Sequence, residues 1–211
     1  MVNIKTFKLI FWDFDGVIKD SVDVKTHAYF ELFKPFGSKI AKKVKDHHQA
    51  NGGISRFDKL PIYLQWVGIR PSKSLVIEYS EKFSKLVTQK VIDSPWVGGV
   101  EFYIHKQFHF QVFVLISATP QEELEYIVDA LGLKIYFVSI SGAPMQKHEF
   151  IRQTLIMQKL KPSECLVIGD SQTDLDAANI NQVPFLLRKH YSNKKLSAAY
   201  AGNFIEDFIA L

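Results

Sequence analysis

Short, unbroken apolar runs alternate along this chain with longer stretches whose apolar residues recur at the helical period. Leu9-Ile10-Phe11-Trp12 has no polar interruption, the pattern of a parallel strand covered on both faces. Runs of the same kind predict further strands over 111–117, 135–138, 164–168 and 184–187. Helical spacing over 100–106, 122–131, 149–159 and 173–181 separates them, and Gly132 stands where a helix would stop. This alternation predicts an α/β fold, a doubly wound and mostly parallel sheet with helices on both faces. The tail from Leu196 to Leu211 reads as one amphipathic helix or two.

One interval breaks the alternation. About a hundred residues separate the first strand from the second, far more than an ordinary connection. They show helical spacing over 22–34, 40–49, 56–67 and 72–91, with breaks at Pro35-Phe36-Gly37, Gly52-Gly53 and Gly68 to Pro71. Residues 17–94 are therefore expected to form an all-helical cap domain. Residues 1–16 and 95–211 would form the core, re-entered near Asp93-Ser94-Pro95 and Gly98-Gly99.

The chemistry-bearing residues sit where the strands end. Asp13 and Asp15 follow the first strand directly, at the carboxyl edge where ligands of open α/β sheets gather. Ser117 closes the second run, and Lys147 ends the loop Gly142-Ala143-Pro144-Met145-Gln146. The run Cys165-Leu166-Val167-Ile168-Gly169 breaks into Asp170-Ser171-Gln172-Thr173-Asp174. Taken singly, Ser117 merely ends a strand, Lys147 starts a helix and Asp170 caps one with Asp174 in its first turn. Taken together they supply what phosphoryl transfer needs: a nucleophile, neutralising charge and a proton for the leaving oxygen. An aspartate is ionised at neutral pH and forms an acyl phosphate that water cleaves, which suits Asp13. Asp15 would shuttle the proton, while Ser117 and Lys147 would grip phosphoryl oxygens. Carboxylate ligands around a phosphate suit Mg²⁺.

These four segments, D-x-D-G-V, the strand-end serine, the lysine and G-D-S-x-x-D, resemble the motifs of the haloacid dehalogenase-like superfamily. They span Asp13 to Asp174. The resemblance implies a Rossmann-like core, a helical cap of the first type, and a Mg²⁺-dependent phosphatase with catalytic Asp13, Asp15, Ser117 and Lys147. It also implies a metal site drawn from Asp13, Asp15, Asp170 and Asp174, the last binding directly or orienting a bound water. Gly16 and Ala118 would lie against the substrate. In the family's dehalogenases the second aspartate is replaced and in its phosphonate hydrolases it is alanine, so Asp15 points to an oxygen leaving group.

Substrate choice should lie in the cap, because a closing lid positions the leaving group. Asn51-Gly52-Gly53-Ile54-Ser55-Arg56 resembles the G-x-S-R segment of β-phosphoglucomutase and related sugar-phosphate phosphatases. Gly53 and Arg56 would then contact substrate; a capped helix whose arginine points to solvent is the other reading. Lys25 stands where the mutases commonly carry a histidine, and His27 is two residues too late. This favours a phosphatase over a mutase, and Lys25 would bind a carboxylate or second phosphate. A small phosphorylated metabolite, a sugar phosphate or phosphoglycolate-like acid, is the expected partner, with a mutase or a non-catalytic binding protein as alternatives.

Composition fits such an enzyme. The chain has 211 residues, 47% hydrophobic and 23% charged, enough for a full core. A single cysteine, Cys165, in a core strand excludes an internal disulfide and favours a reducing compartment. No apolar run approaches the roughly 18 residues of a membrane span, so a cytoplasmic protein without an anchor is expected. The net charge of +4 comes from short clusters, Lys39 to Lys45 and Arg188 to Lys195, that read as solvated helix faces, not a nucleic-acid surface. The pair His47-His48 reads as surface. A monomer or weak homodimer is expected.

Overall fold

The computed structural model describes residues 3–211. Strand β1 (Leu9–Trp12) lies mid-sheet, because its four side chains are apolar and all are buried. It pairs in parallel with β2 (Val112–Pro120) on one side and β4 (Cys165–Gly169) on the other, Trp12 standing level with Leu115 and Ile168. With β3 (Ser139–Ala143), β5 (Phe185–Arg188) and β6 (Phe204–Ile205) the strands run parallel in the order β3-β2-β1-β4-β5-β6. The order reverses beside β1, which opens a crevice at the carboxyl edge there.

Alternate side chains go to opposite faces and feed two cores. Leu9, Phe11, Val114, Ile116, Val167 and Leu187 face α7 (Lys147–Gln158) and α8 (Gln172–Ile180). Ile10, Trp12, Phe113, Leu115, Leu166 and Ile168 join a larger cluster that includes α5 (Val100–Gln107) and α6 (Gln121–Ala130). That cluster continues into the four helices that follow β1 before α5: α1 (Val22–Phe33), α2 (Ser38–Ala50), α3 (Arg56–Trp66) and α4 (Lys73–Asp93). The Tyr29 and Phe83 rings meet tilted with centroids 4.2 Å apart, and Phe33 meets Tyr63 edge-on at 5.6 Å, so aromatic contacts hold α1, α3 and α4 together. Helix α4 also packs on α6.

Three expectations are corrected. The strand expected over 135–138 is displaced: Lys134–Tyr136 is a 3-10 turn with Ile135 exposed, and β3 begins at Ser139 opposite Val114. As an edge strand β3 needs only partial burial, so its sequence carries polar and small residues that a search for apolar runs passes over. The tail is not an amphipathic helix. A short α9 (Lys194–Ala199) leads to the two-residue β6, too brief to carry a period, and Phe208 then buries its ring 5.4 Å from Trp12. Arg188 is not on a solvated helix face: it ends β5, is buried, and donates to Asp20 at 2.6 Å and to the Glu206 carbonyl at 3.1 Å. Cys165 is buried in β4, and burial pushes its thiol up to about 11, which keeps it unreactive. Among the described residues no helix is long and apolar enough to cross a membrane.

Phe208→Ala empties a fully buried ring site against Trp12 and Tyr103, and should cost about 3–5 kcal/mol. Urea denaturation followed by tryptophan fluorescence measures it; a loss of under about 1 kcal/mol would mean that the tail is not part of the core.

Candidate active site

Asp13 is the first residue beyond β1, and its amide continues the ladder by donating to the Ile168 carbonyl at 2.9 Å. The chain then turns tightly: the Ile18 and Lys19 amides both donate to the Phe14 carbonyl, and Gly16 donates to the Lys19 carbonyl at 2.7 Å. Gly16 has φ +79°, and a Cβ there would overlap Asp170 Oδ2, so the turn can approach that carboxylate only with glycine. Lys19 fastens the turn from behind. Its buried ammonium donates to the Ile92 carbonyl at 3.0 Å and lies 4.3 Å from the Trp96 ring centroid.

Three acids converge beside β1 and β4. Asp13, Asp170 and Asp174 are all buried and bring one carboxylate oxygen each to within 4.8 Å of the others. Lys147, the first residue of α7, donates to Asp13 at 2.9 Å and to Asp174 at 2.5 Å. His190 Nε2 lies 2.8 Å from Asp170 Oδ2. Asp174 has a second duty at the start of α8, where its other oxygen accepts from the Ser171 amide at 3.1 Å and the Ser171 hydroxyl at 2.5 Å. Burial, then the Asp174 carboxylate, pushes Asp13 well above the usual carboxylate range, with Lys147 opposing. Burial alone would lower Lys147, but Asp13 and Asp174 raise it strongly. One ammonium among three buried carboxylates leaves a surplus of negative charge in an all-oxygen donor set. That set fits a hard divalent cation.

Asp15 is set apart. Its carboxylate is absent from this cluster and turns instead to Ser21 at 2.6 Å, Thr119 at 3.3 Å and the ammonium of Lys25. Burial would raise it, but Lys25, by charge and hydrogen bond, and Ser21 hold it below the usual range. Ser117 lies inside β2, which runs on to Pro120 past the end expected at Ser117, just beyond Ile116 where the pairing with β3 shifts register; its hydroxyl accepts from the Thr119 amide at 3.1 Å. Lys25 also donates to Thr119 Oγ1 at 2.7 Å. Asp13 and Asp15 are thus two residues apart in environments that push their protons in opposite directions.

A cleft opens over these groups, lined by Asp13, Asp15, Ser117, Ala118, Lys147 and Asp170 on the sheet side. Gly52-Gly53-Ile54 lines it from the insertion, and a Cβ at Gly53 would overlap the hydroxyls of Ser171 and Thr173. Arg56 also lines the cleft, but its guanidinium is taken: it makes two 2.8 Å bonds to the carboxylate of Glu123 on α6 and one of 2.7 Å to Ser84 on α4. Ser55 caps α3 as expected. His48, expected on the surface, is buried against Lys59 at 2.9 Å, and His47 is half-buried with Nδ1 3.0 Å from the Tyr63 hydroxyl.

A profile of haloacid dehalogenase-like hydrolases matches residues 7–180. The chain belongs to that family. A phosphoglycolate phosphatase of Vibrio vulnificus (strain CMCP6) is 30% identical over 113 residues, a stretch covering 50% of this chain and 50% of that relative's length. Solved structures share the fold. CbbY from Rhodobacter sphaeroides, in complex with phosphate, superposes with a TM-score of 0.76 at 14% identity, over 96% of this chain and 95% of its own. A predicted phosphoglycolate phosphatase from Haemophilus somnus 129PT gives 0.74 at 16% identity, over 98% and 97%. β-Phosphoglucomutase from Clostridium difficile gives 0.71 at 19%, over 97% and 93%.

Reading the sequence missed His190, Thr119, Ser21, Lys59 and Tyr29 as site residues. None stands in a motif, and each reaches the cleft or its acids only through the folded chain. The Arg56–Glu123 pair yields a stability prediction. Arg56→Ala strands the Glu123 carboxylate in a site where its side chain is 6% exposed, and should lower unfolding free energy by about 3–5 kcal/mol. Chemical denaturation checks this, and Arg56→Met with Glu123→Gln should recover much of the loss.

Proposed function

We propose that this hydrolase is a Mg²⁺-dependent phosphomonoesterase acting on a small phosphorylated metabolite, a sugar phosphate or phosphoglycolate-like acid, with residues 17–94 as its cap. The observation that carries the reading is the division of labour between two acids at one strand end: Asp13 beside Lys147 in the acid cluster, Asp15 outside it beside Lys25 and Thr119. Asp13 and Asp170, with Asp174 in support, would hold a Mg²⁺ ion, which would supply charge neutralisation on the phosphoryl oxygens.

Asp13 attacks phosphorus with one carboxylate oxygen while the bond from phosphorus to the substrate oxygen breaks. The leaving alkoxide takes a proton from Asp15, so an aspartyl phosphate and a free alcohol result. Asp15, now a carboxylate, takes a proton from water, whose oxygen attacks phosphorus as the bond to Asp13 breaks. Phosphate leaves and Asp13 is restored. Lys25 stabilises the carboxylate form of Asp15, which the second half uses. The proton that Asp15 takes from water in the second half is the one it gives to the next leaving alkoxide. Ser117 and Lys147 hold phosphoryl oxygens through a hydroxyl and an ammonium, and Gly16 and the Ala118 backbone let the phosphate approach closely.

The reading is tested by phosphate release from a panel of small phosphate esters with Mg²⁺ or EDTA. Activity should require the metal and give phosphate and alcohol in equal amounts; an isomerised sugar phosphate without phosphate release would mark a mutase instead. Asp13→Asn should abolish turnover in a folded protein, because an amide is a poor nucleophile. Retained Mg²⁺-dependent activity in that variant would remove Asp13 from the nucleophile's role.

Asp15→Ala should lower kcat on alkyl phosphates by roughly 10²–10⁴-fold, the usual contribution of a positioned acid–base. On p-nitrophenyl phosphate, whose leaving group needs little protonation, the first half should be much less affected, visible as a burst of p-nitrophenol. Equal losses in the first half on both substrate types would exclude Asp15 as the general acid.

A further inference from the structure

The cleft has a second wall that the phosphoryl chemistry leaves unused. Lys59 from α3, His48 from α2 and Tyr29 from α1 line it, and they are 2%, 3% and 1% exposed. Lys59 donates to His48 Nδ1 at 2.9 Å and to the Asn51 carbonyl at 3.2 Å. Neither partner is charged, and among the described residues Lys59 takes part in no ion pair. Two bonds leave one of its three N–H groups over. His48, accepting at Nδ1, carries its proton on Nε2, which has no protein partner among the described residues. The Tyr29 hydroxyl is fully buried and likewise unpartnered.

The neighbouring cations are already neutralised, Arg56 by Glu123 and Lys25 by Asp15. Lys59 has no ion-pair partner among the described residues; burial, with Lys25 and Arg56 adding to it and the more distant Asp15 and Asp58 opposing, presses its ammonium well below the ordinary amine range. A buried cation beside two spare donors is the complement of an acceptor-only group, which an anionic oxygen is and a hydroxyl is not.

We propose that Lys59, His48 and Tyr29 form a subsite for a second anionic group of the substrate, a carboxylate or a second phosphate. Lys59 supplies the charge, with the His48 Nε2–H and the Tyr29 hydroxyl as donors. This rests on the phosphomonoesterase reading, because the same cleft holds the reacting phosphate at Asp13. It assigns recognition of the distal group to Lys59 and leaves Arg56 as the tie between α3 and α6.

Matched substrates test it. 3-Phosphoglycerate and glycerol 3-phosphate differ in a carboxylate against a hydroxymethyl group, and fructose 1,6-bisphosphate and fructose 6-phosphate differ in the second phosphate. The wild type should favour the anionic member of at least one pair by tenfold or more in kcat/KM, and the discriminating pair tells carboxylate from phosphate. Lys59→Met should shrink that ratio by roughly 10- to 100-fold, the worth of a charge-assisted hydrogen bond, while Lys59→Arg keeps most of it. A lysine that merely braces the Asn51 loop would change both members of a pair alike, and an unchanged ratio overturns the proposal. Calorimetry on Asp13→Asn with Mg²⁺ reads Kd for each pair without turnover, so the subsite is judged even where hydrolysis fails. Absence of preference in both pairs, including no binding of any member, overturns it without any Lys59 variant.

Discussion

The buried ammonium of Lys147 is the interaction on which the site depends. Parallel pairing of β1 with β4 forces Asp13 and Asp170 to the same sheet edge, and the first turn of α8 adds Asp174. Three carboxylates cannot be buried together in their charged forms without compensation, since burial and mutual repulsion both favour protonation. Lys147 spans two of them from the start of α7, so that helix is positioned by charge as well as by its apolar contacts with β2 and α8. What remains uncompensated is what a divalent cation would neutralise.

A second tie fixes the helical insertion over this edge. The Arg56–Glu123 bidentate pair joins α3 to α6, and glycine at position 53 allows its loop to touch Ser171 and Thr173 at the acid cluster's rim. Both links cross from the insertion to the sheet layer, so a change in either would alter the width of the cleft together with the positions of Lys59 and His48. The continuous apolar cluster from Trp12 through Tyr29 to Tyr63 gives the same two layers a common core.

Much of this was legible in the sequence because the central strands are buried on both faces and read as unbroken apolar runs. Their carboxyl ends also carry the acids, so order along the chain translated into a place in the fold. Edge elements were less legible. β3 is rich in serine and glycine, and β6 has two residues, so neither shows a periodic signal. The wall of Lys59, His48 and Tyr29 was invisible for a different reason: three residues from three helices meet only through helix packing. Arg56 was noticed for its motif, but the acid that holds it lies on α6, far along the chain, and nothing near Arg56 announces Glu123.

The central place of β1 also orders events during synthesis. Leu9–Trp12 leaves the ribosome long before either neighbour exists, since its partners begin at Val112 and Cys165. The helices α1 to α5 are made in the interval, and α1 to α4 can pack on one another while the strand has no ladder to join. An apolar tetrapeptide with free backbone donors therefore waits while residues 13–111 are made. It is the segment most exposed to mispairing with other nascent chains, and the one a chaperone would be expected to shield.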